Sequence, residues 1–272
     1  MLNYEPLYVF LGEYRLSLEH YTKALNIYYT KYDANLSKIG NTYNNIGISL
    51  MMLCDYENSI AHLDKSLQIK EKLFDKFHPT IASTLGNIGT CYQHLGKYET
   101  AIKYLNTTFD IQYKLYGMNH VQVANTLNNI GINHQYLDEY RVSILYFNNA
   151  LEIYMNFYTS NHPNIASVLN NIGLSYQYMK SFQTSIDYFK KSLDIKTKIF
   201  DKNSHTNVAD TYYNLGLSYQ HLQDYANSLE YLNKALSIYE KVYTGNETPL
   251  VNTLWNIEVA KKHLDNRDFY FV

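Results

Sequence analysis

The sequence predicts an all-α fold, a right-handed solenoid of antiparallel helix pairs. Three observations predict it. A glycine recurs at Gly47, Gly89, Gly131, Gly173 and Gly216, in steps of 42, 42, 42 and 43 residues. Two further columns keep the same period: Tyr14, Tyr56, Tyr98, Tyr140, Phe182 and Tyr225, then Ile27, Ile69, Ile111, Ile153, Ile195 and Ile238. Within a period the apolar residues are spaced 4, 3, 4, 3, the stripe of one helix face. Self-similarity at this period marks a stacked array of supersecondary units.

The elements follow in order. Residues 1–35 read as a degenerate first repeat, because "MLNYEPLYVFLGEY" enters in mid-helix A with Pro6 inside it. Residues 36–246 hold five complete repeats of 42 or 43 residues, each a helix A, a short turn and a helix B. In the second of these, helix A spans Pro79 to Leu95, with Ile81, Leu85, Ile88, Tyr92 and Leu95 on its apolar face. Helix B spans Tyr98 to Tyr116, with Tyr98, Ile102, Leu105, Phe109 and Leu115 inward. The turns "LCDY", "LGKY", "LDEY" and "LQDY" are short enough to make the two helices antiparallel neighbours. Pro79, Pro163 and Pro249 open helix A, where a missing N–H costs nothing, and Gly117 and Gly245 stop helix B.

Glycine in mid-helix costs roughly 1 kcal/mol relative to alanine. Facing it on helix B stand the small residues Ser59, Ala101, Ser143, Ser185 and Ser228, so a close approach of the two backbones offsets that cost. Residues 247–272 supply one more helix A, with Glu258 in the glycine column. Too little chain follows for a partner helix, so this segment reads as a solvating cap.

Glycine, tyrosine, leucine, tyrosine and two small residues at these intervals resemble the tetratricopeptide repeat. The longer period, with "HPTIASTLGNIG", "HPNIASVLNNIG" and "ALEIY", is similar to the kinesin light chain type. The resemblance covers nearly the whole chain. It implies the fold, and no particular biological role.

In a helix-pair solenoid the A helices line the concave face. Helix A carries a second, unburied stripe at −6, −2, +1 and +5 from the glycine. Its members include Asn45, Asn87, Asn129, Asn171, Asn214 and Asn256 at −2, with Asn125, Thr90, His94, Tyr136, Tyr178 and His221 at the other places. The −2 residue is asparagine in all six copies, whereas the asparagine before it becomes Gly86, Tyr213 and Trp255. An amide has both donor and acceptor, so a ladder of them can pair with the backbone of an extended peptide. The resemblance implies that role for this position. The alternative is that each amide bonds a neighbouring helix. Gln93, Gln135, Gln177 and Gln220 form a second row, read as solvated interface residues. The stripe holds one acid, Asp210, and no lysine or arginine. A grip on a C-terminal carboxylate and the acidic-cargo specificity of kinesin light chain are therefore not carried over.

Other chemistries find little footing. A net charge of −2 and an isoelectric point near 6.5 speak against a nucleic-acid surface. His78, His120, His162 and His205 lie one repeat apart, roughly 10 Å or more from helix packing distances. One ion needs its ligands near 2 Å, so these histidines read as helix caps. Cys91 and His94 sit at i and i+3 with no third partner for catalysis, and Cys54 completes too few cysteines for a disulfide framework. Asn35, Asn106 and Asn246 begin Asn-x-Ser/Thr triplets, without a signal peptide to give them use. The reading is a monomeric, cytoplasmic interaction scaffold. It binds a protein or peptide partner, with no catalytic residues, no metal, no cofactor, no nucleic acid and no membrane. The alternative is a sensor or docking portion of a larger enzyme or regulatory protein.

Overall fold

A computed structural model describes residues 5–31, 35–200, 205–243, 245 and 247–268, so the Asn246 triplet lies outside the described residues. All regular structure among them is helical. The chain divides into two compact units, Met1–Leu137 and Asp138–Val272. The first contains α1 (Glu5–Lys31), α2 (Leu36–Met52), α3 (Tyr56–Leu73), α4 (Pro79–His94), α5 (Tyr98–Tyr116) and α6 (Val121–Tyr136). The second contains α7 (Tyr140–Phe157), α8 (Pro163–Tyr178), α9 (Phe182–Ile199), α10 (Thr206–His221), α11 (Tyr225–Val242) and α12 (Thr248–Asp268). Helix A is α2, α4 and α6 in the first unit and α8, α10 and α12 in the second. Each remaining helix but α1 is a B helix. Two boundaries differ from the sequence reading. α1 runs unbroken through Gly12, where an A–B turn would fall, and α11 stops at Val242, short of Gly245.

The first unit shows why the segments fold this way. Helix A opens at His78 and His120, whose Nδ1 accepts the backbone N–H of Thr80 (3.3 Å) and Gln122 (3.2 Å). This satisfies one of the donors that every helix start leaves open. Each imidazole also stacks on an aromatic ring from the end of the preceding B helix: Phe74 at 4.0 Å and Tyr116 at 4.4 Å between centroids. The A–B turns pass through a left-handed residue, Cys54 (φ 61°) and Gly96 (φ 71°), of which only glycine adopts that conformation without strain. Ile60, Leu63, Ile88 and Cys91 form one core layer, and Ile81, Ala82, Leu85 and Ile111 the next. Successive A helices touch, α2 with α4 and α4 with α6, whereas α3 and α5 do not. The A helices therefore form the inner face of this unit.

The repeated glycine is a contact point, but its closest neighbour is not the small residue. A Cβ on Gly47 would lie 2.6 Å from Leu63 Cγ, and one on Gly89 would lie 3.0 Å from Leu105 Cγ. The small residues contribute their backbone carbonyls, Ser59 O at 3.2 Å and Ala101 O at 3.3 Å. The Ser59 hydroxyl also donates to Gly47 O at 2.7 Å. Helix B likewise turns inward on a different edge than expected. Leu115 is exposed, while Ala101, Leu105, Thr108, Ile111 and Gln112 are buried. Helix B packs on its own A helix and on the next one, so its buried face is broad and partly polar.

The second unit repeats the plan. His162 and His205 accept from Asn164 N (3.1 Å) and Asn207 N (3.3 Å) and stack on Tyr158 and Phe200. An Nδ1 that accepts must be unprotonated, and burial lowers the His162 pKa. Lys180 and Gln223 take the left-handed turn position (φ 60° and 61°). A Cβ on Gly173 would lie 2.7 Å from the Phe189 ring, and one on Gly216 2.6 Å from Leu232 Cγ. Glu258, in the glycine column of α12, is exposed.

Serine hydroxyls bridge helix B to the next helix A. Ser143 pairs with Ser175 (2.8 Å) and Ser185 with Ser218 (2.9 Å). Ser218 also accepts from Gln177 Nε2 at 2.9 Å. At the last junction the equivalent residue is Ala260, fully buried and without a hydroxyl. The Ser228 hydroxyl and Gln220 Oε1, which take the places of Ser185 and Gln177, are both buried and unpartnered. Ala260→Ser should satisfy both. Each unmade buried bond costs about 1–3 kcal/mol, so the expected gain is about 1 kcal/mol or more. It is read as slower hydrogen exchange in α11 and α12. Unchanged or faster exchange would mean that the site has no room for the hydroxyl.

Candidate functional site

The unburied stripe of helix A lies on the inner face of each unit. In the first unit, Asn87 and Thr90 on α4 and Asn125 and Asn129 on α6 line one cleft of about 430 Å³. Asn45 lies on α2, outside that cleft. In the second unit Asn171 sits on α8, Asn214 on α10 and Asn256 on α12. All six amides at this position are half-buried. They are not equivalent. Asn256 Nδ2 donates to Tyr213 OH (3.2 Å) and Asn252 O (2.8 Å), so it bonds its own helix and the neighbouring one. Among the described residues the side-chain amides of Asn45, Asn87, Asn129 and Asn214 make no hydrogen bond. Those four keep donors and acceptors in hand.

The aromatic members of the stripe have partners already. His94 stacks on Tyr56 (4.7 Å, 5°) and Tyr136 on Tyr98 (4.8 Å, 10°) in the first unit. In the second, Tyr178 stacks on Tyr140, His221 on Phe182 and His263 on Tyr225. In every pair the second ring opens helix B of the preceding repeat. These residues staple one A–B turn to the next, and the stripe residues of the pairs remain exposed. Asp210, the single acid of the stripe, accepts from Tyr239 OH at 2.6 Å and feels the Lys196 ammonium. Besides these rings and Asp210, the stripe presents neutral amides, hydroxyls and aliphatic side chains.

A family model of the tetratricopeptide repeat matches residues 38–114, 80–156, 122–198 and 207–267. The chain is a tetratricopeptide repeat protein. Solved structures of the same fold accompany that match. BtubC (BKLC) from P. vanneervenii superposes with a TM-score of 0.69 at 16% identity, over 87% of this chain and 93% of that one. Nearly identical repeats of a Podosopora anserina protein described as a kinesin light chain give 0.64 at 16%, over 78% and 99%. Aspartyl phosphate phosphatase F from Bacillus subtilis gives 0.69 at 14%, over 87% and 60%. A comparison with curated proteins finds no match.

The tetratricopeptide repeat protein also holds polar residues that the sequence reading did not single out. Lys70 on α3 is only 3% exposed. Its Nζ donates to Thr84 Oγ1 (2.7 Å) on the next helix A and to Asn44 Oδ1 (3.2 Å) on its own repeat's helix A. Lys196 on α9 is 6% exposed and donates to Thr211 Oγ1 (2.7 Å) and Asn207 O (3.0 Å), and Thr211 in turn donates to Asn170 (3.4 Å). Burial lowers both ammonium pKa values to about 8. So the first asparagine of the Asn-Asn pair has a structural role in these two repeats. The signal that could have found the lysines is their column: Lys70, Gln112, Tyr154, Lys196 and Tyr239 recur at the repeat period. The glutamine row behaves as an interface, as its position suggests: Gln93 Oε1 accepts from Asn133 Nδ2 (3.0 Å), and Gln177 donates to Asn214 O (3.1 Å).

Among the described residues no three His, Cys, Asp or Glu side chains gather as a metal site, and no helix is long and apolar enough to cross a membrane. Cys91 is buried against Ser59, and burial raises its pKa, while His94 faces out onto Tyr56. No hydrogen bond joins the thiol and the imidazole among the described residues, and burial holds the thiol from its nucleophilic form.

Proposed function

We propose that this chain is a non-catalytic scaffold that binds an extended, near-neutral peptide along the inner faces of its A helices. The observation that carries the reading is the set of unengaged amides at Asn45, Asn87, Asn129 and Asn214, repeated at a fixed helix position. A peptide backbone presents alternating N–H and C=O groups, and such amides match both. The absence of lysine and arginine from the stripe favours an uncharged segment over an acidic one or a C-terminal carboxylate. Asn87→Ala with Asn129→Ala tests this. Peptides enriched on the wild-type chain from a displayed random library should bind the double variant at least tenfold more weakly, about 1.4 kcal/mol. The helical circular dichroism should stay unchanged. Equal binding to both proteins would remove the groove reading.

A second reading has an observation of its own. The likeness to aspartyl phosphate phosphatase F spans only 60% of that chain, and to RapI 72%. In this reading the array is the docking portion of a larger regulatory protein. Transcript sequencing across the locus tests it, and an open frame limited to these repeats would count against it.

A further inference from the structure

The second complete repeat is the one in which the position before the ladder asparagine carries no side chain. In the first complete repeat the residue before the ladder asparagine is Asn44, whose side-chain oxygen accepts from Lys70 and from Thr84 at 3.1 Å. In the fourth, Asn170 accepts from Thr211. In the second, that residue is Gly86, and the helix B lysine is replaced by Gln112. The slot that an asparagine side chain fills elsewhere is left open. It forms the floor of the cleft between α4 and α6, lined there by Gly86, Leu105, Thr108 and Gln112.

The chemistry of that floor is specific. Gln112 is 8% exposed, and its Oε1 accepts from Thr126 Oγ1 at 2.7 Å. Its Nε2 makes no hydrogen bond among the described residues, so two unengaged N–H donors of a largely buried side chain line the cleft. Thr108 donates its hydroxyl proton to Tyr104 O (2.9 Å) and keeps lone pairs to accept with. A group that suits both must offer an acceptor to Gln112 and a donor to Thr108. A carboxylate supplies no donor, and an ammonium finds no acid. A primary amide supplies both and carries no charge to desolvate.

The geometry points to a specificity pocket at Gly86 that takes an asparagine or glutamine side chain from the bound peptide. The partner's amide enters the place that Asn44 and Asn170 hold in their own repeats. This assignment rests on the groove reading above for the direction of the peptide, and on the Gly86 floor for the amide. The cleft volume of about 430 Å³ lies within the range that takes small ligands, roughly 300–1,000 Å³.

Gly86→Asn should close the pocket with the chain's own amide. A Cβ there meets Thr108 Cγ2 at 3.6 Å, an ordinary contact, so the variant should fold and melt no lower than wild type. Two probes read the outcome. N-acetyl-glutamine N-methylamide, titrated into the isotope-labelled full chain, should shift the Gly86 backbone amide and the Gln112 side-chain amide. The leucine analogue should shift neither, and Gly86→Asn should abolish the shifts. Among library peptides selected on the wild type, asparagine or glutamine should be enriched at one register, and Gly86→Asn should weaken their binding roughly tenfold, the scale of one or two buried hydrogen bonds. No glutamine-dependent shift at these amides, or an equal one from leucine, overturns the pocket. Peptides that bind through Asn87 and Asn129 but show no amide preference leave the groove standing and remove the pocket. Amide shifts without any selected peptides do the reverse.

Discussion

Gly216→Ala is expected to destabilise the second unit, although alanine is the better helix former. The new Cβ would lie 2.6 Å from Leu232 Cγ, 2.8 Å from Leu232 Cδ2 and 3.3 Å from the Leu232 backbone nitrogen. Leu232 is fully buried, so it has little room to move aside. Overpacking of this kind costs roughly 1–3 kcal/mol, against a helix-propensity gain of roughly 1 kcal/mol. Gly216→Val adds two more methyl groups and should fall at the top of that range or beyond. The control is Gly86→Ala, at a glycine with open space and only Thr108 at 3.6 Å. That variant should gain up to about 1 kcal/mol. Thermal melts of the three variants separate the cases, and a Gly216→Ala protein as stable as wild type would contradict the close packing.

The second large effect is a dependence on alkaline pH set by Lys70 and Lys196. Burial lowers both pKa values to about 8, whereas an unfolded lysine titrates near 10.4. Between these values the unfolded chain holds protons that the folded chain has lost, so stability rises with pH. Each lysine contributes a slope of at most about 1.4 kcal/mol per pH unit. The window closes near pH 10 because tyrosines act in the opposite sense. Burial raises the pKa of Tyr154 and Tyr239, and the Asp138 carboxylate, through its hydrogen bond, raises that of Tyr140 to about 12. Unfolded tyrosines lose protons first, and stability falls. The melting temperature should therefore climb from pH 8 to about 9.5 and drop above 10. Lys70→Met with Lys196→Met should flatten the climb and leave the drop. A double variant with the wild-type slope would place the lysines in water.

Most of the fold was legible because repetition reveals which features are structural. The step of 42 places helix A at Pro79–His94, within one residue of the sequence reading, and helix B at Tyr98–Tyr116. What escaped was polar burial. Lys70, Thr108, Gln112 and Lys196 look like solvated helix positions by hydrophobicity, yet each is covered because helix B contacts two A helices. Leu115 looked inward for the same reason in reverse. The glycine contact was legible as a contact but not in its partner, since Leu63, Leu105, Phe189 and Leu232 stand four residues beyond the small column. In the candidate site, the ladder asparagines were visible from their constancy. The open pocket at Gly86 was not, since an isolated glycine reads as a lapse in the pattern until its neighbours are seen in three dimensions.

The variety of the polar junctions bears on how such a chain avoids assembling out of step. Nearly identical segments invite a helix to dock one period away, within one molecule or between two, a known failure of repeat proteins. The contacts differ enough to oppose this. Ser59 meets the Cys91 thiol at 3.3 Å. Docked against α6 instead of α4, it would meet the larger Asn133, whose amide then loses Gln93. Gln112 docked against α8 would face Val168 in place of Thr126 and keep an unpaired oxygen in the interior. These two junctions thus act as addresses, and a helix misplaced at either is penalised by the polar groups it strands.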